Sequence, residues 1–194
     1  MADKSIPIIY LITPTYARAT QIADLTRLIN TLLHLKHLHW IVIEDAYTEN
    51  LPVRKLLNSS KILHTYLSVP KKRGVDELLK GVAQRNAGLA WIRKHHDRKT
   101  DGIRKTKKVS VWPVGFTSRM ALQTPVVVGF MSWLSDYRKF AVDMAGFALN
   151  VNVLFDYPNM IFPYDCPPGF QETMFLEQCC QLKELEPMAE NCTK

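Results

Sequence analysis

The sequence predicts an α/β fold built on a mostly parallel sheet, and three observations support this fold class. Apolar β-rich runs alternate with segments whose apolar residues recur every three or four positions. The chain has 194 residues and is 47% hydrophobic, which is enough for one well-buried core. Two of the predicted strands end in polar residues, at the edge where parallel sheets bind ligands.

The first half of the chain predicts three strands that alternate with three helices. Residues 6–13 (IPIIYLIT) have no helical period and resemble a strand covered on both faces. Apolar residues spaced three and four apart predict an amphipathic helix over residues 17–35. The remaining predicted elements are a strand at 39–43, a short helix at 51–57, a strand at 62–69 and a helix at 74–94.

The second half is less regular. Residues 109–116 predict a strand, and 141–149 a strand followed by a turn or helix. Four prolines between positions 158 and 168 predict a loop over 156–169, and residues 171–185 then predict a helix.

The charge pattern favours a solvated loop over a binding surface. The net charge is +7, and much of the excess lies in residues 93–108. No aromatic residues interleave these charges to stack on bases, so nucleic acid is not a predicted partner; a phosphate-binding patch with steep salt dependence is the alternative.

Cysteine spacing and hydropathy exclude other classes of protein. The four cysteines match no zinc or redox spacing, so a structural metal site is not predicted. No apolar run approaches the roughly 18 residues of a membrane span, and residues 1–4 begin without an anchor or signal core. From these residues alone the chain is expected to be secreted or cytosolic.

Candidate ligand contacts follow the first two strands. The turn Pro14-Thr15-Tyr16 supplies a ring that can cover a planar base, and Asp45 a carboxylate that can accept hydrogen bonds from a base or sugar. Lys80 and Arg85 add cations suited to a diphosphate. An ordinary turn, a helix cap and a charged helix face explain these residues equally well from position alone.

Seven ordered motifs resemble those of one enzyme family. They are ITPTYAR at 12–18, HWIVIEDA at 39–46, KGVAQRNAGLAWIR at 80–93, VSVWPVGF at 109–116, FAVDMAGFALN at 140–150, GFQE at 169–172 and LEPMAENCTK at 185–194. This pattern is similar to the catalytic domain of the β-1,3-glucuronyltransferases, glycosyltransferase family 43. The resemblance implies a GT-A fold, with a UDP-binding half at 1–102 and an acceptor-binding half at 103–194 of a single, incomplete catalytic domain.

The resemblance also implies a reaction. Family members transfer glucuronic acid from UDP-glucuronate to a terminal galactose with inversion, as in completion of the proteoglycan linker tetrasaccharide. It makes Pro14, Thr15, Tyr16 and Asp45 uridine contacts and places Lys80 and Arg85 at the donor phosphates or sugar. Lys80 stands where the family usually has arginine, and Arg73 is the alternative for this role.

The acceptor residues implied by the resemblance lie in the second half. Glu172 corresponds to the catalytic base, and Arg138 and Asp143 to positions that bind galactose or hold the site's shape. Gln123 corresponds to a family glutamate and keeps an acceptor oxygen without the charge.

Two segments of the family pattern are missing. Between Gly102 and Ile103 the family has a strand, an aspartate cluster that holds Mn²⁺, and a helix. Hard oxygen ligands are what a divalent ion on a diphosphate requires, so no metal ligands are assigned here. The chain also stops at Lys194, before the family's next strand.

Two functions are therefore expected. The first is glucuronosyl transfer, with low turnover because of the missing segments; the alternative is a non-catalytic relative that binds UDP or pairs with an intact enzyme. The resemblance further implies a Golgi membrane protein with a lumenal domain and a homodimer, and Asn191 opens a glycosylation sequon.

Overall fold

Two three-stranded sheets organise the described residues. The computed structural model describes residues 6–71, 80–97, 106–112, 137–140, 142 and 146–188. The chain divides into two compact units, Met1–Asp101 and Gly102–Lys194. No helix in the described part is both long enough and apolar enough to cross a membrane.

The first unit alternates strands and helices as the sequence predicts. Its elements in chain order are β1 (Ile9–Thr15), α1 (Gln21–Leu32), β2 (Leu38–Glu44), α2 (Leu51–Ser59), β3 (His64–Ser68) and α3 (Val82–His95). The strands are parallel in the order β1-β2-β3, so β2 is central. Parallel pairing was predicted and is confirmed for these three strands.

The core of this unit fills one face of the sheet. Leu25 and Ile29 of α1 and Val53 and Leu57 of α2 pack with Trp40 and other residues of β2 in one buried cluster. Because strand side chains alternate between faces, the fully buried Ile41 and Ile43 point to the opposite face. Helices thus cover both faces, which explains the continuous apolar run of β2.

Helix α3 approaches β1 closely at Gly88. A Cβ placed on Gly88 would lie 2.9 Å from Cγ2 of Ile12 and 3.0 Å from two further carbons of that side chain. A residue without a side chain is therefore required where the helix crosses the strand, and this crossing fixes where α3 begins.

The second unit contains a short mixed sheet. Its elements are β4 (Val109–Val111), β5 (Phe147–Leu149), α4 (Val153–Asp156), α5 (Gln171–Leu176), a 3-10 helix (Leu182–Glu184) and β6 (Leu185–Pro187). Strand β4 lies between β5, which is antiparallel to it, and β6, which is parallel. Phe175 of α5 stacks on Phe162 with ring centroids 3.9 Å apart, so aromatic packing anchors this helix.

Several predicted boundaries are wrong. The first strand begins at Ile9 rather than position 6, and α1 ends at Leu32 because His37, with φ 58°, turns the chain into β2. Asp156 ends a helical turn instead of opening the loop. The rest of that loop, and the strand at the end of residues 141–149, are confirmed.

The helix predicted over 171–185 is wrong beyond Leu176. The Gln178 side chain accepts from the Ile161 backbone N–H at 3.1 Å and donates to the Ile161 carbonyl at 2.7 Å, which draws the chain away from the helix axis. Residues Leu185–Pro187 then pair with β4 as a strand, so sheet pairing overrides the helical pattern.

Candidate functional site: two strand ends and a buried ion pair

The carboxyl ends of the three parallel strands meet at one edge of the first unit. Thr15, Glu44 and Ser68 occupy neighbouring positions across β1, β2 and β3. The Asp45 backbone N–H donates to the Thr15 carbonyl at 2.8 Å, which holds the first residue after β2 against the end of β1. The sequence places candidate contacts at both strand ends, and the structure brings these ends together.

Tyr16 is the exposed member of the Pro14-Thr15-Tyr16 turn. Its side chain is 48% exposed. The Arg18 guanidinium lies 4.9 Å from the ring centroid and also donates to Asp24 at 3.0 Å. Hydrogen bonds from Thr20 and then Arg18 lower the pKa of Asp24, so its carboxylate holds the arginine beside the ring. The arrangement leaves an exposed aromatic face with a cation next to it.

Thr15 is buried and faces the interior of the fold. It is only 5% exposed, and its hydroxyl accepts a hydrogen bond from Nε2 of Gln21 at 3.2 Å. The same nitrogen donates to the Glu44 carboxylate at 2.9 Å. Thr15 therefore connects the turn to a buried polar network.

Asp45 follows Glu44 and is half-buried. One of its carboxylate oxygens accepts from the Lys71 backbone N–H at 2.8 Å, which ties the segment after β3 to the end of β2. A carboxylate has a second oxygen and further lone pairs for a ligand.

The first turn of α3 lies against the same edge. Gly81 precedes the helix with φ 79°, a left-handed conformation that favours glycine. A Cβ at this position would lie 3.2 Å from the Pro14 side chain and 2.8 Å from an Arg85 guanidinium nitrogen. Arg85 donates to the Lys80 carbonyl at 2.9 Å, and Lys80 itself is exposed. The Arg85 guanidinium and the amino end of α3 thus lie next to Pro14, and the α3 dipole adds positive potential.

Glu172 lies in the first turn of α5 in the second unit. Its carboxylate accepts from Nη2 of Arg138 at 3.2 Å, and the side chains are 12% and 3% exposed respectively. Arg138 also donates to the Val142 carbonyl at 3.0 Å, and Thr173 donates to the Phe140 carbonyl at 3.1 Å. Residues 138–142 and α5 are therefore joined through the ion pair and its neighbours.

The Cys166 thiol interacts electrostatically with Glu172. Burial raises the pKa of the Cys166 thiol, and the negative charges of Glu172 and Asp165 raise it further. Cys166 is thus a protonated, buried thiol near Glu172 at neutral pH.

Several predicted site residues lie outside the described part of the chain. They are Arg73, Gln123, Asp143 and Asn191.

The described residues do not fit a manganese site. Within them, no three His, Cys, Asp or Glu side chains gather closely enough to hold a metal ion. At the strand edge the Arg85 guanidinium lies beside Pro14, and a cation is unsuited to binding Mn²⁺.

A separate open cavity of about 480 Å³ lies in the second unit. Its lining includes Lys108, Asn150 and Tyr157. Lys108 is paired with Glu184 at 2.8 Å, and Asn150 donates to the Thr106 carbonyl at 2.8 Å. These contacts stabilise the start of β4, so the cavity is not assigned to the site.

Comparison with known proteins decides the family. A model described as Glycosyltransferase family 43 matches residues 28–194. The chain belongs to glycosyltransferase family 43. Its relatives include mouse galactosylgalactosylxylosylprotein 3-beta-glucuronosyltransferase 2, which is 39% identical over 220 residues, with 99% of this chain and 68% of the relative covered.

Other relatives in family 43 give the same result. The human protein of the same name is 40% identical over 218 residues, covering 97% of this chain and 67% of the relative. The Caenorhabditis elegans 3-beta-glucuronosyltransferase sqv-8 is 36% identical, covering 99% and 63%. The alignment with the mouse protein spans 220 positions whereas this chain has 194 residues, so that relative has residues with no counterpart here.

A solved structure supports the GT-A fold. S. aureus TarS 1-349, a GT-A type glycosyltransferase, superimposes with a TM-score of 0.55 at 13% identity, covering 94% of this chain and 58% of that structure. At this identity the likeness concerns the fold alone.

The sequence did not predict the polar side chains that donate to the Glu44 carboxylate at the strand edge. Gln21, Asn50 and Tyr66 lie far apart in sequence and meet at the Glu44 carboxylate. The signal that could have pointed to them is Glu44, a glutamate at the end of an otherwise apolar strand. The structure shows that Glu44 is buried, and a buried charge requires donors.

Proposed function

We propose that this chain is a glucuronosyltransferase that uses UDP-glucuronate as donor and a terminal galactose as acceptor. The observation that carries the proposal is the junction of the two strand ends, where the Asp45 backbone N–H donates to the carbonyl of Thr15, the residue before Tyr16. The names of the relatives support the same donor sugar. A nucleotide-sugar donor and a glycan acceptor are general to the family.

The first unit supplies the donor-binding groups in this proposal. The exposed Tyr16 ring covers the uracil face, and the Asp45 carboxylate accepts a hydrogen bond from the base or the ribose. Arg85, Lys80 and the backbone N–H groups at the start of α3 bind the diphosphate, because a helix amino terminus and cations both favour anions. Pro14 packs near Gly81 and completes the wall between these groups.

The second unit supplies the base. Glu172 takes the proton from the acceptor hydroxyl as that oxygen attacks the anomeric carbon, the bond from that carbon to UDP breaks, and the configuration inverts. Such a base contributes on the order of 10²–10⁴-fold. Arg138 orients the carboxylate through their buried ion pair. We include Gln123 and Asp143 as acceptor contacts on the family pattern.

Manganese enters the proposal only as the family's cofactor. A divalent ion would neutralise charge on the departing diphosphate. Since the described carboxylates do not form a site for it, no step is assigned to the metal. We also propose, from the family, a Golgi lumenal setting, a homodimer and a glycan on Asn191.

A transfer assay tests the proposal. The chain is incubated with UDP-glucuronate, Mn²⁺ and a galactose-terminated acceptor, and the product is identified by mass spectrometry. We expect glucuronylated product that is lost in Glu172→Gln, with turnover below that of a complete homologue. Absence of product at saturating donor and acceptor would refute the proposal.

A second function, UDP binding without turnover, is favoured by the missing aspartate cluster between Gly102 and Ile103. Calorimetry with UDP, with and without Mn²⁺, separates the two. Binding that is unchanged by Mn²⁺, together with no product, supports the non-catalytic function. Binding that strengthens with Mn²⁺ contradicts it.

Asp45 gives a point test of the donor site. Asp45→Asn keeps the side-chain shape but removes the charge, so we expect UDP to bind roughly tenfold more weakly, since a hydrogen bond to a charged group contributes about 1.5–3 kcal/mol. Titration calorimetry measures the change, and Asp156→Asn in the second unit is the control. Equal affinity for Asp45→Asn and the unaltered chain would contradict the assignment.

A further inference from the structure

Glu44 is a buried carboxylate at the centre of the strand edge. It ends β2, is 1% exposed and is paired with Thr15 on one side and Ser68 on the other. A charge so far from water destabilises a fold unless donors surround it. The side chains that donate to Glu44 therefore indicate the role of this carboxylate.

Three side chains from three elements donate to this carboxylate. Gln21, the first residue of α1, donates at 2.9 Å, and Asn50, which precedes α2, donates at 3.4 Å. The Tyr66 hydroxyl of β3 donates to the other oxygen and accepts from the Asn50 backbone N–H at 3.0 Å. One carboxylate thus connects the starts of two helices with a neighbouring strand.

The network includes Thr15 and adjoins two further predicted uridine contacts, Tyr16 and Asp45. Through Gln21 it holds the hydroxyl of Thr15, the residue before Tyr16. Glu44 also precedes Asp45 in the chain. The Glu44 carbonyl accepts hydrogen bonds from the Val69 and Ala46 backbone N–H groups. The network therefore connects the residue before Tyr16 with the residue before Asp45, in addition to the backbone bond between Asp45 and Thr15.

We propose that Glu44 is a positioning residue for nucleotide binding: its carboxylate, held by Gln21, Asn50 and Tyr66, fixes the distance between Tyr16 and Asp45. This inference rests on the proposed function. It adds a second role to that expected of Thr15, whose buried hydroxyl connects the turn to Glu44 through Gln21.

The test is a double-mutant cycle in UDP affinity. Glu44→Gln keeps the shape, but the amide has one acceptor oxygen where the carboxylate has two, so one donor loses its partner. We expect the Kd for UDP to rise about tenfold, as for loss of a charged hydrogen bond. If Glu44 acts through Asp45, the loss in Glu44→Gln with Asp45→Asn is smaller than the product of the single losses.

A stability control separates positioning from general loosening. Val53→Ala removes fully buried methyl groups from α2 in the same core, so it lowers the melting temperature while leaving UDP affinity unchanged. If Glu44→Gln fails to fold, Gln21→Met removes the donor that joins Glu44 to Thr15 and leaves Asn50 and Tyr66 on the carboxylate, and we expect a threefold to fivefold higher Kd.

The outcomes are distinguishable. The positioning role would be overturned if the affinity losses of Glu44→Gln and Asp45→Asn multiplied in the double variant, or if Val53→Ala weakened UDP binding as much as Glu44→Gln does. Either result would leave the proposed function standing. No binding of UDP by the unaltered chain would overturn both.

Discussion

Arg138 and Glu172 show how one contact can serve both stability and chemistry. The two charges are almost fully buried and lie 3.2 Å apart. Removing one partner of such a pair leaves a buried charge without compensation, which is more damaging than removing both.

Arg138→Met is expected to lower the free energy of unfolding by about 3 kcal/mol, because Glu172 keeps its charge and loses its cation. Urea denaturation measures the change. The double variant Arg138→Met with Glu172→Met should recover part of the loss. A double variant less stable than Arg138→Met alone would contradict this account.

Tyr66 predicts a pH dependence. Burial, and then its hydrogen bond to Glu44, raise the pKa of Tyr66 from 10.0 to about 12. Between these values the unfolded chain loses the proton and the folded chain keeps it, so Tyr66 contributes stability below pH 10 that is lost as pH rises towards 12. Tyr66→Phe should show a shallower loss of stability across this range, measured by urea denaturation at each pH. An unchanged dependence of stability on pH in Tyr66→Phe would contradict the raised pKa of Tyr66.

At the scale of elements, the crossing of α3 over β1 fixes the position of the cations. Gly88 admits the helix against Ile12, and Gly81 begins it beside Pro14. Small residues at these two points thus determine where Arg85 lies relative to the turn.

Gly88→Ala should destabilise the first unit by about 1–3 kcal/mol, although alanine is the better helix former by about 1 kcal/mol. The reason is the 2.9 Å approach to Ile12. Thermal unfolding measures the change, and a second substitution, Ile12→Ala, should make the double variant more stable than the sum of the single losses predicts. Stabilisation by Gly88→Ala alone would show that the helix can shift freely.

The elements also show what sequence can and cannot predict. Strands β1 to β3 and helices α1 to α3 have strong periodicity, so their order was predictable, and so was the position of Asp45 at a strand end. The shortened α5 depends on the contact between Gln178 and Ile161, and the donors to Glu44 depend on three elements meeting. Tertiary contacts of this kind leave no local pattern, and the Arg138–Glu172 pair was missed for the same reason.

At the scale of the whole molecule, the proposed chemistry is divided between two compact units. The nucleotide groups Tyr16, Asp45 and Arg85 belong to the first, and the base Glu172 belongs to the second. Family membership is shown for the chain as a whole. UDP binding should therefore depend on residues of the first unit, whereas removal of the Glu172 carboxylate should abolish the transfer reaction without weakening UDP binding.

The most direct test of this account is hydrogen exchange of the full chain with and without UDP, read by mass spectrometry. We expect slower exchange in the backbone around Tyr16, around Asp45 and in the first turn of α3, and unchanged exchange in α5. Protection confined to the second unit, or no protection when UDP is saturating, would contradict the assignment of the two strand ends as the nucleotide site.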